Sequence, residues 1–266
     1  MKIGIFDSGV GGLLVTQAIA EKLPQYDYIY LGDVARVPYG NRSSAVIYQF
    51  TKEAIDYLFK QNCQLIIVAC NTASAEALRK IQQEYLPKKY PGRRVLGVLI
   101  PAAEVAAGLS QSGKIGVLAT QGTVSSNAIK QEIIKLRPKA KITQVPAPLL
   151  VPLIENNGLK WIQPILQSYL KPLIEANIDT LVLGCTHYPF VKDMIRELVG
   201  PQINVVSQDE IVPAKLADYL NRHPEIESKL TRNSTQDFLV TDQTDWLNEL
   251  AEKLFAQKIT LRQVEI

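Results

Sequence analysis

The chain has 266 residues, of which 47% are hydrophobic and 21% charged, the balance of an ordinary globular protein with one large or two small domains. Its net charge of +3 and the lack of a long Lys/Arg block argue against nucleic acid as the main partner. The most apolar long stretch, 95–109, carries Pro101, Glu104 and Gly108 and is shorter than the roughly 20 apolar residues of a membrane span, so no membrane partner is expected.

Cysteine usage indicates a reducing compartment. The three cysteines, Cys63, Cys70 and Cys185, do not describe a disulfide framework, and no CxxC pattern points to a zinc ribbon or a thioredoxin-like site. The stretch before Asp7 is too short for the apolar core of a signal peptide. We therefore expect a cytoplasmic protein.

Short apolar runs alternate along the chain with segments of helical spacing such as 44–61. This alternation predicts an α/β fold with mainly parallel sheets built from βαβ units, and continuous Val/Ile/Leu runs predict strands buried on both faces. The predicted strands span 2–6, 28–32, 64–69, 94–99, 114–119, 141–146, 180–184 and 203–207.

An internal repeat divides the chain. KIGIFDSG at 2–9 echoes KIGVLATQG at 114–122, and NCQLIIVACNTA at 62–73 echoes NIDTLVLGCTHY at 177–188. These two weakly similar halves predict two related α/β lobes.

The lobe boundaries follow from this repeat and from the end of the chain. We expect one lobe to comprise 1–96 and 209–266, and the other to comprise 97–208. The end of the chain is a return segment on the first lobe, with a helix, a strand at 237–241 and a helix at 245–257.

Two of the thiols occupy matching places in the repeat. Cys70 and Cys185 each follow a predicted strand and precede a predicted helix, whereas Cys63 lies in a helix-to-strand turn and is interpreted as structural. Ligands of open α/β sheets bind beyond the carboxyl ends of strands, so facing lobes would place both thiols across one cleft. A helix N-terminus favours the thiolate, which predicts a lowered pKa for each, although a buried cysteine is also a common core residue.

Polar groups next to these thiols are candidates for substrate binding. Asn71, Thr72 and Thr186, with the local backbone amides, could hold an anionic substrate. His187 lies two residues past Cys185 and is either its proton partner or a histidine bonded to backbone at a helix start.

Asp7 and Ser8 follow the first strand and either point into the cleft or cap the helix from Leu13. Thr120 and Thr123 hold the corresponding place in the second half and are either hydroxyl donors or helix caps.

A Pro/Gly turn at 37–43 follows the second strand on the cleft side. There Tyr39 and Asn41 either contact substrate or serve the turn itself. Neither a GxGxxG fingerprint nor a complete P-loop sequence, GxxxxGK followed by Ser or Thr, is present, which excludes the common nucleotide-binding loops.

Four motifs, FDSGVGG, VPYGN, ACNTA and GCTHYP, in this order, resemble the glutamate racemase family of the aspartate/glutamate racemase superfamily over residues 3 to about 207. The resemblance implies two pseudo-symmetric α/β domains, an active site in the cleft between them, and no cofactor and no metal. It places the catalytic cysteines at Cys70 and Cys185. With the cleft-side turn and hydroxyls, the expected substrate-binding set is Asp7, Ser8, Pro38, Tyr39, Gly40, Asn41, Asn71, Thr72, Thr120, Thr123, Thr186 and His187.

The resemblance also explains why the site would need two thiols. Inverting an α-carbon requires removal of a proton from one face and return of a proton to the other, which two bases on opposite walls achieve without moving. The family pattern implies that Cys70 deprotonates D-glutamate with help from Asp7, and that Cys185 deprotonates L-glutamate with help from His187. It further implies supply of D-glutamate for peptidoglycan and a possible homodimer.

Other functions stay open at this point. Racemisation of aspartate or a hydantoin is a neighbouring reaction in the superfamily. A binding protein that holds a dicarboxylate in a hinged cleft would need neither thiol for chemistry. A Cys-His hydrolase is disfavoured because no third orienting residue or nucleophile-elbow pattern is present.

Overall fold

The computed structural model describes residues 1–266 and contains two β-sheets flanked by helices. The strands are β1 Lys2–Asp7, β2 Tyr28–Gly32, β3 Cys63–Val68, β4 Arg94–Gly97, β5 Lys114–Ala119, β6 Lys141–Pro146, β7 Thr180–Gly184, β8 Asn204–Val206, β9 Gln236–Val240 and β10 Leu261–Gln263. The helices are α1 Gly12–Lys22, α2 Ser44–Lys60, α3 Asn71–Glu76, α4 Leu78–Lys80, α5 Leu86–Lys89, α6 Leu99–Leu109, α7 Gln121–Ser126, α8 Ala128–Leu136, α9 Leu150–Glu155, α10 Leu159–Glu175, α11 Lys192–Val199, α12 Gln208–Arg222, α13 Pro224–Glu227 and α14 Asp245–Phe255. Short 3₁₀ turns span Val34–Arg36, Tyr39–Asn41 and Tyr188–Val191, and a π-helical turn spans Ile81–Tyr85.

Every strand pair in both sheets is parallel. The larger sheet has six strands in the order β10-β9-β2-β1-β3-β4, and the smaller has four in the order β6-β5-β7-β8. The predicted α/β class with parallel sheets is thereby confirmed. The division of the chain into two lobes stays a prediction, which is supported by the pairing of β9 from the return segment with β2 of the larger sheet.

Each sheet is covered on both faces. In β1, Ile3 and Ile5 pack on the side of α1, α12 and α14, while Phe6 packs on the side of α2. In β5, Val117 and Leu118 likewise belong to cores on opposite faces. Successive side chains of a strand point to opposite faces, so a continuous apolar run fits a sheet buried on both sides.

Three local predictions were wrong. The strand predicted at 94–99 ends at Gly97, and Leu99 opens α6. Cys63 is the first residue of β3 rather than part of the preceding turn, and β10 was not expected at all. A short apolar run cannot distinguish a strand from a buried helix, and β10 is a three-residue edge strand in which only Leu261 is buried.

The parallel arrangement brings the candidate residues to matching edges. Asp7 ends β1, Cys70 follows β3 by two residues, and Thr120 and Cys185 directly follow β5 and β7. The carboxyl ends of parallel strands lie at one edge of a sheet, where open α/β sheets bind ligands. No helix of the chain has the length and apolar character needed to cross a membrane.

Candidate active site

A cavity of about 300 Å³ lies between the carboxyl edges of the two sheets. Of the sequence-predicted site residues, only Asp7 and Thr123 do not line it. Its walls come from both halves of the repeat: Ser8, Gly9, Val37, Pro38, Tyr39, Gly40, Asn41, Cys70, Asn71, Thr72, Thr120, Gln121, Ala147, Pro148, Val151, Pro152, Glu155, Asn156, Cys185, Thr186 and His187.

Cys70 is held at the start of a helix, where its Sγ lies 3.4 Å from the amide nitrogen of Ala73 and caps α3. The hydroxyl of Ser8 lies 3.2 Å from the same sulfur. Burial and the nearby carboxylate of Asp7 outweigh these hydrogen bonds and raise the pKa of Cys70 to about 12. The prediction of a lowered pKa was therefore wrong for this thiol, because desolvation disfavours the thiolate more than the helix terminus favours it.

Cys185 directly follows β7 and is also buried. A 3₁₀ turn, Tyr188–Val191, separates it from α11, so its expected place at a helix N-terminus was wrong. Its sulfur lies 3.9 Å from Nδ1 of His187.

His187 lies between a thiol and a carboxylate. Its Nε2 is 2.8 Å from Oε1 of Glu155, the last residue of α9. Burial disfavours the imidazolium, but the contacts with Cys185 and Glu155 outweigh burial and raise the pKa of His187 to about 10. The ring is therefore positively charged at neutral pH and offers a positive charge to the cavity.

Sequence reasoning missed Glu155. It ends an apolar segment, LVPLIE, and no strand end or repeat marks it as a site residue. Its isolated charge at the end of an apolar helix is the only sequence signal that could have drawn attention to it.

Asp7 lies under the cavity wall and joins the two halves of the site. Its carboxylate accepts hydrogen bonds from the amide of Gly9, at 3.0 Å, and from the hydroxyl of Thr186, at 3.2 Å. Burial raises its pKa above the ordinary value of an aspartate. The N-cap position of α1 is occupied by Gly11, so the alternative role of Asp7 as helix cap was wrong.

Gly11 permits the close approach of the two halves beside Asp7. A Cβ atom at this position would lie 2.6 Å from Cε1 of His187 and 2.7 Å from Oγ1 of Thr186. Only a residue without a side chain allows the FDSGVGG loop to pack on the Thr186–His187 segment.

Three threonine hydroxyls meet across the cavity. Oγ1 of Thr72, on α3, lies 3.0 Å from Oγ1 of Thr120 and 3.3 Å from Oγ1 of Thr123. Thr120 also caps α7 by accepting from the amide of Thr123, which confirms the helix-cap alternative, while its role as a donor to substrate stays a prediction. Thr123 does not line the cavity itself, and its hydroxyl contacts the hydroxyls of Thr72 and Thr120, which do.

The 37–43 turn forms a rigid wall. The Tyr39 hydroxyl donates to the carboxylate of Asp33, which also accepts hydrogen bonds from Arg36 and Thr241. Asp33 is fully buried and was not among the expected site residues. This network fixes the ring of Tyr39 and with it the turn that carries Pro38, Gly40 and Asn41.

The site thus combines two buried thiols from two sheets, one cationic imidazole, and several hydroxyl, amide and backbone donors. Thiols and imidazoles are proton-transfer groups, whereas hydroxyl and amide donors bind carboxylates. The arrangement is suited to moving a proton to and from a small anionic molecule enclosed between the sheets.

Comparison with known proteins places the chain among racemases. Residues 5–209 match the family described as Asp/Glu/Hydantoin racemase. The glutamate racemase of Trichormus variabilis is 38% identical over 92% of this chain and 84% of its own length, and that of Persephonella marina is 36% identical over 100% and 98%.

Solved structures give the same result. Glutamate racemase isoform RacE1 from Bacillus anthracis superposes with a TM-score of 0.90 at 31% identity and covers 100% of this chain and 97% of its own. Glutamate racemase from Aquifex pyrophilus superposes with a TM-score of 0.81 at 35% identity and covers 99% and 98%. The chain belongs to the Asp/Glu/hydantoin racemase family.

Proposed function

We propose that this protein is a glutamate racemase that interconverts L- and D-glutamate by a cofactor-independent, two-base 1,1-proton transfer. The observation that carries the proposal is that two buried thiols, Cys70 from the larger sheet and Cys185 from the smaller, line one cavity of about 300 Å³. A reaction that removes a proton from one face and returns one to the other needs two such groups, one on each side.

Glutamate as substrate is supported by the relatives and by the chemistry of the cavity. Glutamate racemase from Francisella tularensis, 30% identical with a TM-score of 0.88, was solved in complex with D-glutamate. The cavity here offers neutral donors for carboxylates, among them Ser8, Asn71, Thr72 and Thr186. Neutral donors in a desolvated site also stabilise the negative charge that develops when the α-proton leaves.

The two thiols differ in charge environment in a way that suits them to opposite roles. The raised pKa of Cys70, about 12, keeps this group a thiol at neutral pH, ready to donate a proton. The cationic His187, 3.9 Å from Cys185, provides a positive charge for a thiolate there. In the L-to-D direction Cys185 removes the α-proton and becomes a thiol, while Cys70 donates its proton to the opposite face and becomes a thiolate; the D-to-L direction reverses both steps.

Neighbouring groups assist each thiol. The hydroxyl of Ser8, 3.2 Å from the Cys70 sulfur, stabilises the thiolate that forms when Cys70 gives up its proton. Asp7 acts on Cys70 electrostatically from the same loop, and through Thr186 it also orients the opposite wall. His187, oriented by Glu155, has the corresponding role for Cys185.

The biological role that goes with this activity is the supply of D-glutamate for peptidoglycan synthesis and so for cell-wall formation. A homodimer and a cytoplasmic location stay predictions from the sequence.

Solvent deuterium tests the proposed reaction. The protein is incubated with L-glutamate in D₂O without added cofactor, and optical rotation and the α-proton NMR signal are followed. We expect rotation to decay to zero and, early in the reaction, deuterium to enter the D-isomer before the remaining L-isomer, because the incoming proton comes from a different group than the one that received the outgoing proton. Binding of glutamate with no exchange would contradict the proposal. Faster exchange of L-aspartate than of L-glutamate would identify aspartate as the substrate instead.

A further inference from the structure

A reciprocal pair of side-chain amides lies directly behind the cavity wall. Asn71 lines the cavity next to Cys70, and its Nδ2 donates to Oε1 of Gln208 at 2.9 Å. In return, Nε2 of Gln208 donates to Oδ1 of Asn71. Both side chains are almost fully buried, and Gln208 does not line the cavity.

The pairing holds the plane of the Asn71 amide and couples its orientation to that of Gln208. A primary amide has two N–H donors and an oxygen with two acceptor sites, and the pair uses one of each on Asn71. If Asn71 alone rotated by 180°, its Nδ2 would face Nε2 of Gln208 and its Oδ1 would face Oε1. Neither contact is a hydrogen bond, and in a buried site at least one polar group would be left unsatisfied. Gln208 therefore holds the plane of the Asn71 amide beside the cavity and leaves one N–H and one acceptor site of Asn71 unused by the pair.

No other side chain shares this task. Gln208 is the only hydrogen-bond partner that the structure gives the Asn71 side chain, and the relation is mutual. Gln208 is the first residue of α12, which packs against α1 behind the larger sheet and against α6 near the smaller sheet. The glutamine is thus anchored by a helix that contacts both halves of the molecule.

We propose that Gln208 is a positioning residue of the active site, which holds the Asn71 amide so that its free N–H meets a carboxylate of the substrate. The proposal rests on the proposed function for the identity of the substrate. It assigns a role to a residue outside the cavity, in a segment where the sequence shows no site motif.

Two Gln208 variants and one matched control test the assignment through steady-state kinetics with glutamate. Gln208→Met removes both hydrogen bonds at similar length, and Gln208→Glu keeps an acceptor for Nδ2 of Asn71 but, when ionised, loses the donor. We expect KM to rise about three- to tenfold for Gln208→Met with kcat nearly unchanged, and less for Gln208→Glu, because one neutral hydrogen bond is lost from bound substrate in ground and transition states alike.

The matched control is Gln64→Met, which removes another buried glutamine. Gln64 lies outside the cavity, and its Nε2 donates to the carbonyl of Gly92 over 2.7 Å. It should lower the melting temperature and leave KM unchanged.

A double-mutant cycle separates positioning from general destabilisation. In an Asn71→Ala background, Gln208→Met should raise KM no further, since its effect passes through the missing amide. An unchanged KM in Gln208→Met, or the same rise in both backgrounds, would overturn the proposal. If Gln208→Met does not fold, the same comparison is made with Gln208→Glu.

A crystal structure of the Gln208 variant gives a readout that does not depend on activity. The plane of the Asn71 amide should turn, or the side chain should occupy more than one rotamer, once its partner is lost, and an unchanged single rotamer and amide plane would show that Gln208 does not position it. If the wild-type protein fails to racemise glutamate, the proposed function falls, and this structure still decides whether Gln208 orients Asn71.

Discussion

The carboxylate of Glu155 lies 2.8 Å from Nε2 of His187, on the side of the ring opposite the Cys185 thiol. The pair joins the end of α9 to the segment after the smaller sheet's strand β7, and its two residues are 32 positions apart in the chain. At neutral pH the His187 imidazolium places a positive charge beside Cys185, whereas the charged neighbour of Cys70 is the carboxylate of Asp7.

Substitution of Glu155 by Gln should lower the pKa of His187 and reduce the racemisation rate about tenfold, because the amide oxygen can still accept the hydrogen bond but the negative charge that stabilises the imidazolium is lost. The pKa is read from NMR titration of the ring protons. Glu225→Gln is the matched control, since it disrupts the contact of the other histidine, His223, with Glu225 at 3.0 Å on the surface. An unchanged His187 pKa in Glu155→Gln would contradict the assigned role.

The same pair predicts a pH dependence of stability. The pKa of His187 is raised from 6.5 to about 10, so the folded state binds more protons than the unfolded state between these values. Its stabilising contribution is complete below about pH 6.5 and is lost as the pH rises through about 10. The melting temperature of the wild type should therefore fall more between pH 7 and pH 10 than that of Glu155→Gln. An equal fall in the two proteins would contradict the stabilising role of the His187–Glu155 pair.

Replacement of either cavity thiol should stop racemisation. Cys70→Ser and Cys185→Ser each remove one proton-transfer group, and a fall in kcat of about 10³-fold or more is expected, since a serine hydroxyl is a far weaker acid. Cys63→Ser is the matched control: Cys63 is equally buried but lies in β3 outside the cavity, so stability falls and kcat is retained. Full activity in either cavity variant would exclude the two-base scheme.

Gly11→Ala should disturb the contact between the two halves of the site. The added methyl would overlap Thr186 and His187, which predicts a loss of about 1–3 kcal/mol in unfolding free energy and a lower kcat. Gly108→Ala in α6 is the control, because its Cβ meets nothing within 4 Å and should raise stability slightly. Denaturant unfolding and the racemisation assay measure both effects, and a Gly11→Ala protein with normal activity would show that the loop can move apart freely.

Asp27→Asn tests how the return segment is attached. Asp27, just before β2, accepts hydrogen bonds from the backbone and side chains of Asn233 and Thr235. Burial opposes its charge, but hydrogen bonds from Thr231, Thr235 and Asn233 outweigh burial and hold the pKa of this carboxyl well below its usual range. Its stabilising contribution is therefore present above about pH 4 and is lost as the pH falls below that value.

The amide of Asp27→Asn can replace only some of these acceptor sites. We expect a loss of about 1–3 kcal/mol in unfolding free energy at pH 7 and a smaller dependence of stability on acid. Asp193→Asn, whose side chain is 91% exposed, should change the unfolding free energy by less than about 0.5 kcal/mol. Equal stability of wild type and Asp27→Asn at pH 7 would contradict the attachment.

The fold class was predictable from the sequence because the apolar runs that define the strands are local. Runs such as 64–69 and 180–184 are buried on both faces, and this burial requires the same residue types wherever the strand lies. The repeat placed Cys70 and Cys185 at equivalent strand ends, and the four family motifs supplied most of the other cavity residues. The short edge strand β10 and the end of β4 were not predicted, because both depend on pairing and burial rather than on a run of apolar residues.

The tertiary structure decided what depends on distance between remote segments. The only local signal of Glu155 is its charge at the end of an apolar helix, and Gln208 begins a helix far from every motif. The raised pKa of Cys70 also depends on the whole surroundings, because desolvation by many distant residues outweighs the hydrogen bonds that the sequence pattern anticipates. The sequence by itself determined which groups are candidates for the chemistry, and the packing of the two sheets decided their charge states and orientation, because both depend on solvent exclusion and on partners remote in the chain.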